Sequence, residues 1–249
     1  MDSTRRFSDR VGDYVKYRPG YPGGIVDDLV AAGVLRAGSV VADIGSGTGI
    51  FARNFLERGF RVIGVEPNAE MRAAGDEFLR RFERFSSVEG TAEATGLGDH
   101  SVDLVTAAQA FHWFDVPRAK GEFRRILRAG GHVVLVWNER KVEVSPFLVE
   151  YERLLRENSP DYLKVDHRKV TEGQMREFLG REMKVFQYDN EQVFDLAGVK
   201  GRVMSSSYAP KEGAAYEALM GGVQRAFERF NVEGKVSFLY ETKVYVGEV

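Results

Sequence analysis

Three observations predict an α/β chain built on a doubly wound, mostly parallel sheet. Short β-branched, apolar runs alternate with segments of helical period through residues 40–137. Those runs are continuously apolar rather than alternating, as in a sheet covered on both faces. A glycine cluster follows the first run, where such a sheet turns sharply into a helix.

The elements follow in order. Val40-Val41-Ala42-Asp43-Ile44 is a buried strand ending in glycines. Phe51, Ala52, Phe55 and Leu56 recur at helical spacing, and Gly59 stops that helix. Arg61 to Val65 is a second strand, and Asn68 caps a helix carrying Met71, Ala74, Phe78 and Phe82. Ser87-Val88-Glu89 is a weak third strand and Ser101 to Thr106 a clear fourth. A helix starts near Pro117 and buries Phe123, Ile126 and Leu127. Gly130-Gly131 then turns the chain into a fifth strand, His132 to Trp137. Beyond it the spacing predicts helices over 144–158, 171–180 and 212–230. Residues 183–194 and Val236 to Val246 read as extended. No linker interrupts the chain, so it reads as a single domain: a lid over 1–24, a ligand-binding core over 25–140, and cap helices with the last strands over 141–249.

Composition narrows the chemistry. A chain of 249 residues, 43% hydrophobic and 29% charged, suits a globular enzyme. The net charge of -2 shows no basic excess for nucleic acid. The absence of cysteine removes disulfides, thiolate zinc sites and a cysteine nucleophile. The four histidines lack metal-ligand spacing, so no metal is expected. No run is apolar enough to span a bilayer, and the polar N-terminus lacks a signal core, so a cytoplasmic protein is expected.

The chemistry concentrates in Asp43-Ile44-Gly45-Ser46-Gly47-Thr48-Gly49, between a strand and a helix. Glycines there let the backbone approach a ligand and take positive φ, and helix N–H groups suit a carboxylate or a phosphate. Glu66, ending the next strand, is placed to accept two ribose hydroxyls. Gly47 to Ala52 also satisfies G-x-G-x-x-A, which keeps an NAD(P) oxidoreductase open. In a dinucleotide site, however, the first glycine directly follows the strand, and Asp43 would repel a pyrophosphate. The acid suits an amino-acid moiety bearing an ammonium group.

At these residues the chain resembles the class I S-adenosylmethionine-dependent methyltransferases. The resemblance is to the small-molecule branch, near the ubiquinone/menaquinone and trans-aconitate methyltransferases with a type 11 domain. Val41 to Gly49 matches the first family motif, and Val65-Glu66-Pro67-Asn68-Ala69-Glu70-Met71 resembles the second, with a ribose acid and an apolar residue beside adenine. Gly90-Thr91-Ala92-Glu93 resembles the segment at the adenine edge, Ser101 to Val105 the fourth strand, and Arg125 to Gly131 the turn into the fifth. Thr91 stands where the family often has Asp, a weaker acceptor for the adenine amino group. Ala129 replaces a usual Pro. The resemblance implies a Rossmann-like, seven-stranded sheet with a helical cap. It implies S-adenosylmethionine as cofactor and S-adenosylhomocysteine as product. The cofactor residues would be Asp43, Gly45, Ser46, Gly47, Gly49, Glu66, Pro67, Met71, Thr91, Ala92, Glu93 and Gln109, with Arg18 on the cofactor carboxylate.

The acceptor side is less legible. Gln109 to Asp115 follows the fourth strand. Phe111 and Phe114 read as packing, whereas His112 and Trp113 are candidates for the pocket. Trp113 would lie by the sulfonium, and His112 would orient a substrate oxygen or take its proton. Tyr14, Tyr17 and Arg18 fit either a lid over the substrate or an amphipathic helix packed on the core. Ser205-Ser206-Ser207-Tyr208 reads as a helix C-terminus or a substrate contact, and His100, His132 and His167 as structural or surface groups.

The expected reaction is in-line methyl transfer to a small-molecule acceptor, without nucleic acid or membrane. Carbon-5 cytosine methylation needs a cysteine, and amino-group DNA methylation an Asn/Asp-Pro-Pro-aromatic loop where this chain has Ala108-Gln109-Ala110-Phe111. A non-catalytic S-adenosylmethionine-binding protein is the other alternative.

Overall fold

The computed structural model describes residues 16–162 and 171–249. In chain order its elements are α1 (Gly24–Ala31), β1 (Val40–Ile44), α2 (Ala52–Leu56), β2 (Arg61–Val65), α3 (Ala69–Leu79), β3 (Phe85–Val88) and β4 (Val102–Ala108). They continue with a 3-10 turn (Phe111–Trp113), α4 (Val116–Ile126), β5 (Leu127–Arg140), α5 (Pro146–Asn158), α6 (Glu172–Leu179), β6 (Lys184–Phe194), α7 (Leu196–Met204), α8 (Gly213–Phe230) and β7 (Val236–Gly247).

The strands form one sheet in the order β3-β2-β1-β4-β5-β7-β6. The first five are parallel, and β7 runs antiparallel between β5 and β6. This is the expected seven-stranded, mostly parallel sheet. Strand periodicity sorts β5 onto both faces. Val133, Leu135 and Trp137 enter the core under α4 and α6, while Val134 and Val136 enter the core under α1, α2 and α3.

Capping residues explain where several helices start. Asn68 accepts from the Met71 N–H, Asp115 from Arg118, Ser145 from Leu148, and Asp195 from Gly198. Thr171 and Gln174 form a reciprocal capping box at α6.

Three details depart from the sequence reading. The helix α1 is additional to those predicted, and α7, given no range beforehand, has its C-cap at Ser205, where the sequence offered a helix C-terminus. The helix expected to reach Phe82 ends at Leu79. The turn at Gly130-Gly131 lies within β5, because the strand already pairs Leu127 with Val102 before resuming register at His132 opposite Leu104.

Beyond the sheet, β6 and β7 overhang β5. Pairs such as Gln192 with Phe238 and Phe194 with Val236 have no β5 partner. A third core covers this overhang, built from Leu148, Tyr151 and Leu155 of α5, Val199 and Val203 of α7, Leu219 and Val223 of α8, and Phe238. The cap is therefore rooted on the sheet's own strands.

Asn138 joins the sheet to the N-terminal segment. It is 4% exposed. Its side chain donates to the Gly20 carbonyl at 3.0 Å and accepts from the Thr242 hydroxyl and from Asn190. Its own carbonyl accepts from the Gln109 side chain at 3.0 Å. Asn138→Ala strands the wholly buried Thr242 hydroxyl and leaves the Gly20 carbonyl with Asn190 as its remaining side-chain donor. The expected loss is about 2 kcal/mol of unfolding free energy, read as a lower midpoint in urea. A loss under about 0.5 kcal/mol, the scale of an ordinary surface change, would show that the node is not structural.

Candidate functional site

The sheet order places a switch point between β1 and β4. Beyond β1 the chain moves to β2 and β3 on one side; β4 returns to the other. The loops leaving β1 and β4 diverge, and a crevice opens at the carboxyl ends.

The loop after β1 is a tight glycine turn. Gly45, Gly47 and Gly49 have φ of 65°, 54° and 77°. A Cβ on Gly45 would lie 2.8 Å from the Ala110 side chain, and one on Gly49 would lie 2.4 Å from Leu79. Both therefore need glycine on conformational and steric grounds. The turn is closed by Gly45 N–H to the Val65 carbonyl and Gly49 N–H to the Ser46 carbonyl, both at 2.8 Å.

Two buried carboxylates brace it. Asp43 is 1% exposed and accepts from the Thr106 hydroxyl of β4 at 2.7 Å. Burial pushes its carboxyl up to about 7 against the Thr106 bond, with the nearby Glu66 adding to the rise and the Ala52 N–H opposing it. The first helical N–H after the loop thus serves Asp43, whereas the sequence suggested that this helix end would be offered to a ligand. Glu66 accepts from the Gly47 N–H and the Asn68 N–H, each at 2.9 Å, one on each oxygen. Burial raises its carboxyl as well, partly offset by those two bonds. Each oxygen retains a lone pair.

A cavity of about 230 Å³ runs from this loop to the cap. Asp43, Gly45, Ser46, Gly47 and Thr48 form one end. Gln109, His112 and Trp113 come from the loop after β4, and Arg18, Pro19 and Tyr21 from the N-terminal segment. Arg140, Tyr162, Arg202, Ser207, Tyr208 and Tyr240 lie at the cap end. The predicted cofactor loop and the predicted acceptor loop therefore face one space. Gln109 is held at φ 55°, a strained conformation for a non-glycine residue, by its N–H bond to Val136 and its side-chain bond to Asn138.

The loop after β4 divides between core and cavity. Phe111 is 2% exposed and packs on Trp137 and Phe178, while His112 and Trp113 stack at 4.7 Å on the cavity wall. Arg18 also lies on the wall and donates to the Ser205 carbonyl at 3.0 Å. Tyr17 is placed differently. Its ring lies against Gly201 of α7 and edge-on to Phe194, at the seam between lid and cap rather than on the cavity wall. Tyr14 and His167 lie outside the described residues. Glu66, Pro67, Met71, Thr91, Ala92 and Glu93 are not wall residues. Glu66 and Met71 contact the glycine loop at Gly47, whereas Ala92 packs in the core with Ala110 and Glu93 accepts the Asp115 N–H at 2.7 Å.

At the cap end, where the sequence offered Ser205 to Tyr208 as a helix C-terminus or a substrate contact, Ser207 and Tyr208 line the cavity, and sequence reasoning missed the two arginines. Arg140 and Arg202 are nine-tenths buried or more. Arg140 is paired with Glu152, bonds Tyr162 at 3.1 Å and stacks over Tyr151 at 4.8 Å. Arg202 bonds Ser206 at 2.9 Å and Tyr240 at 3.4 Å. Burial alone would raise the Tyr208 phenol, but Arg202 and Arg140, with the Ser206 bond and Arg18, hold it below its usual value. The signal in sequence was faint: single arginines in unrelated segments, brought together only by β5 and α7.

Comparison with known proteins agrees with this geometry. A family model described as "Methyltransferase domain" matches residues 42–135, from β1 to β5. An uncharacterized methyltransferase of Mycobacterium tuberculosis is 41% identical over 139 residues, which is 56% of this chain and 54% of the relative. An uncharacterized methyltransferase-like protein of Schizosaccharomyces pombe is 34% identical over 163 residues, 64% of this chain and 62% of the relative. The chain thus spans only about half to three-fifths of the length of these curated relatives. Among solved structures, a protein of Anaeromyxobacter dehalogenans described as a type II methyltransferase superposes with a TM-score of 0.70 at 22% identity, covering 93% of this chain and 98% of that one. A phosphoethanolamine N-methyltransferase of Haemonchus contortus, solved with S-adenosylhomocysteine, has a TM-score of 0.56 at 18% identity, covering 100% of this chain and 61% of that one. At such identities these two show the fold. The family match over residues 42–135 makes the glycine loop and its sheet a methyltransferase domain, and the solved structures give it the fold of the class I S-adenosylmethionine-dependent methyltransferases.

Proposed function

We propose that the protein transfers a methyl group from S-adenosylmethionine to a small-molecule acceptor. One observation carries the reading: a single cavity joins the glycine loop to His112, Trp113 and the cap.

The residues at the loop end fit the cofactor. The Gly45 turn packs too close to Ala110 to admit a side chain, so bare backbone lines the cavity there. The Thr48 hydroxyl is buried there with no partner among the described residues, so a polar ligand group would satisfy it. Glu66 is oriented by two backbone N–H groups with lone pairs left for ribose hydroxyls. Asp43 lies where an ammonium group would restore its charge. Pro67 and Met71 would bound the adenosine side, with Thr91, Ala92 and Glu93 at the base edge and Gln109 at the junction with the acceptor.

When bound, S-adenosylmethionine supplies a methyl already made electrophilic by its sulfonium, so that an acceptor atom in line with the carbon–sulfur bond displaces the thioether. The chain's own task is alignment and exclusion of water. Trp113 offers an aromatic face to the sulfonium of the bound cofactor. His112 orients an acceptor oxygen or takes its proton. The segment at Pro19 and Tyr21, pinned to the sheet by Asn138 and to α2 by Asn54, helps to cover the space.

Three outcomes test this reading. Calorimetry should show micromolar binding of S-adenosylmethionine or S-adenosylhomocysteine and none comparable for NADH; equal or tighter NADH binding sinks the assignment. Glu66→Gln replaces an acceptor oxygen with a donor opposite a backbone N–H. It should weaken S-adenosylhomocysteine by about tenfold or more, since charged hydrogen bonds contribute roughly 1.5–3 kcal/mol each. An unchanged dissociation constant would remove Glu66 from the ribose.

The third outcome concerns pH. The unfolded Asp43 carboxyl ionises near its ordinary 3.8 and the folded one near about 7. Between those values the unfolded chain holds fewer protons, so the apo protein's stability falls as pH rises through that window. Glu66 acts in the same direction above its ordinary 4.5. Asp43→Asn should flatten the decline between pH 5 and 7 in thermal melts, using roughly the window set by these values. A wild-type curve that rises across that range would contradict the buried, protonated carboxyl.

A further inference from the structure

We propose that the cap end of the cavity binds an oxyanion group of the acceptor, a carboxylate or a phosphate, between Arg202 and Arg140. The inference rests on the methyltransferase reading and specifies its acceptor class.

The charge balance there is uneven. Glu152 is the carboxylate partner of Arg140, and it also accepts from Arg156 at 2.9 Å and from the Tyr162 hydroxyl at 2.6 Å. One carboxylate therefore serves two guanidinium groups. Among the described residues no carboxylate pairs with Arg202, which is 5% exposed and bonds only hydroxyls. Glu139 is also on the wall, but Lys243 holds it at 2.8 Å.

Donors are left over as well as charge. The Arg140 Nε is buried with no partner among the described residues. Among the described residues, neither its Nη1 nor the Arg202 Nη2 takes part in a bond the two side chains make. Both residues line the cavity. A guanidinium without a counter-charge is costly to bury, and satisfied hydroxyls do not supply the missing charge. A planar fork of spare N–H groups matches the geometry of a carboxylate or phosphate. The Tyr208 phenol on the same wall feels the same positive field. The opposite end of the cavity, with Asp43, suits cationic groups. The two ends thus sort an anionic acceptor from a cationic cofactor.

The test uses the whole chain. S-adenosylhomocysteine binding is measured first by calorimetry. Thermal shifts are then read on the saturated protein with malonate, inorganic phosphate and uncharged malonamide, at ionic strength matched with chloride. A shift of several degrees with malonate or phosphate and none with malonamide is expected, and the stronger of the two names the headgroup. Arg202→Met should abolish the shift and Arg202→Lys should keep part of it. Apo Arg202→Met should melt no lower than wild type, because it removes an uncompensated buried charge. A structural brace would melt lower. The proposal is overturned if neither anion shifts the wild type, if malonamide matches malonate, or if the shift survives in Arg202→Met. The wild-type series decides alone if that variant does not fold. Bound S-adenosylhomocysteine without an anion response defeats the acceptor assignment only; no binding defeats the methyltransferase reading beneath it.

Discussion

The carboxylate of Asp43 is buried at the end of β1, and the site is organised around it. It accepts a hydroxyl from β4 through Thr106 and an N–H from the start of α2 through Ala52. The glycine loop between β1 and α2 is thereby anchored at both ends. Glu66, from β2, fastens the middle of the loop through the Gly47 N–H. Three adjacent strands and one helix therefore converge on two acids. Each acid resists ionisation because it is buried, and each is held in place by bonds that favour the ionised form. A site built this way is stabilised by a cation on one acid and hydroxyls on the other.

The rest of the molecule closes the crevice that the switch point opens. The sheet continues past β5 through β7 and β6, and the overhang carries the cap helices on its own apolar face. The N-terminal segment is fastened across the strands by Asn138 and Asn190, both donating to Gly20. Tyr17 fits where α7 has Gly201, since any Cβ there would enter the ring. Lid, sheet and cap thus share direct contacts.

Charge is distributed along the cavity in a way that opposes stability. Asp43 at one end and Arg202 at the other are both buried without full compensation among the described residues. Uncompensated charge in a protein interior is retained at a cost, and such sites cluster where ligands supply what is missing. The strained Gln109 backbone lies between them, at the junction of β4 with its loop.

Much of the core was legible in the sequence because local rules govern it. Continuous β-branched runs made strands β1, β2, β4 and β5, and positive-φ turns demanded Gly45, Gly47 and Gly49. Asn68 announced α3 by its capping chemistry. The split of Phe111 from His112 and Trp113 was readable from their side-chain types. The order of β6 and β7 was not, because antiparallel insertion of the last strand is a choice among distant partners with similar patterns. Nor was the destination of the Ala52 N–H, which the buried Asp43 claims. Tyr17 fitted a lid or a packed helix equally in sequence, and only α7, by offering Gly201, gives it a packing partner. Arg140 and Arg202 lie in separate segments and carry no motif. Only the pairing of Arg140 with Tyr240 across β5 and β7, and the packing of α7 on that overhang, brings the two guanidinium groups to one wall. Local sequence determined the strands and the glycine loop because backbone preference acts over a few residues. Tertiary structure decided the acceptor end, because charge meeting charge across sixty residues is a property of packing alone.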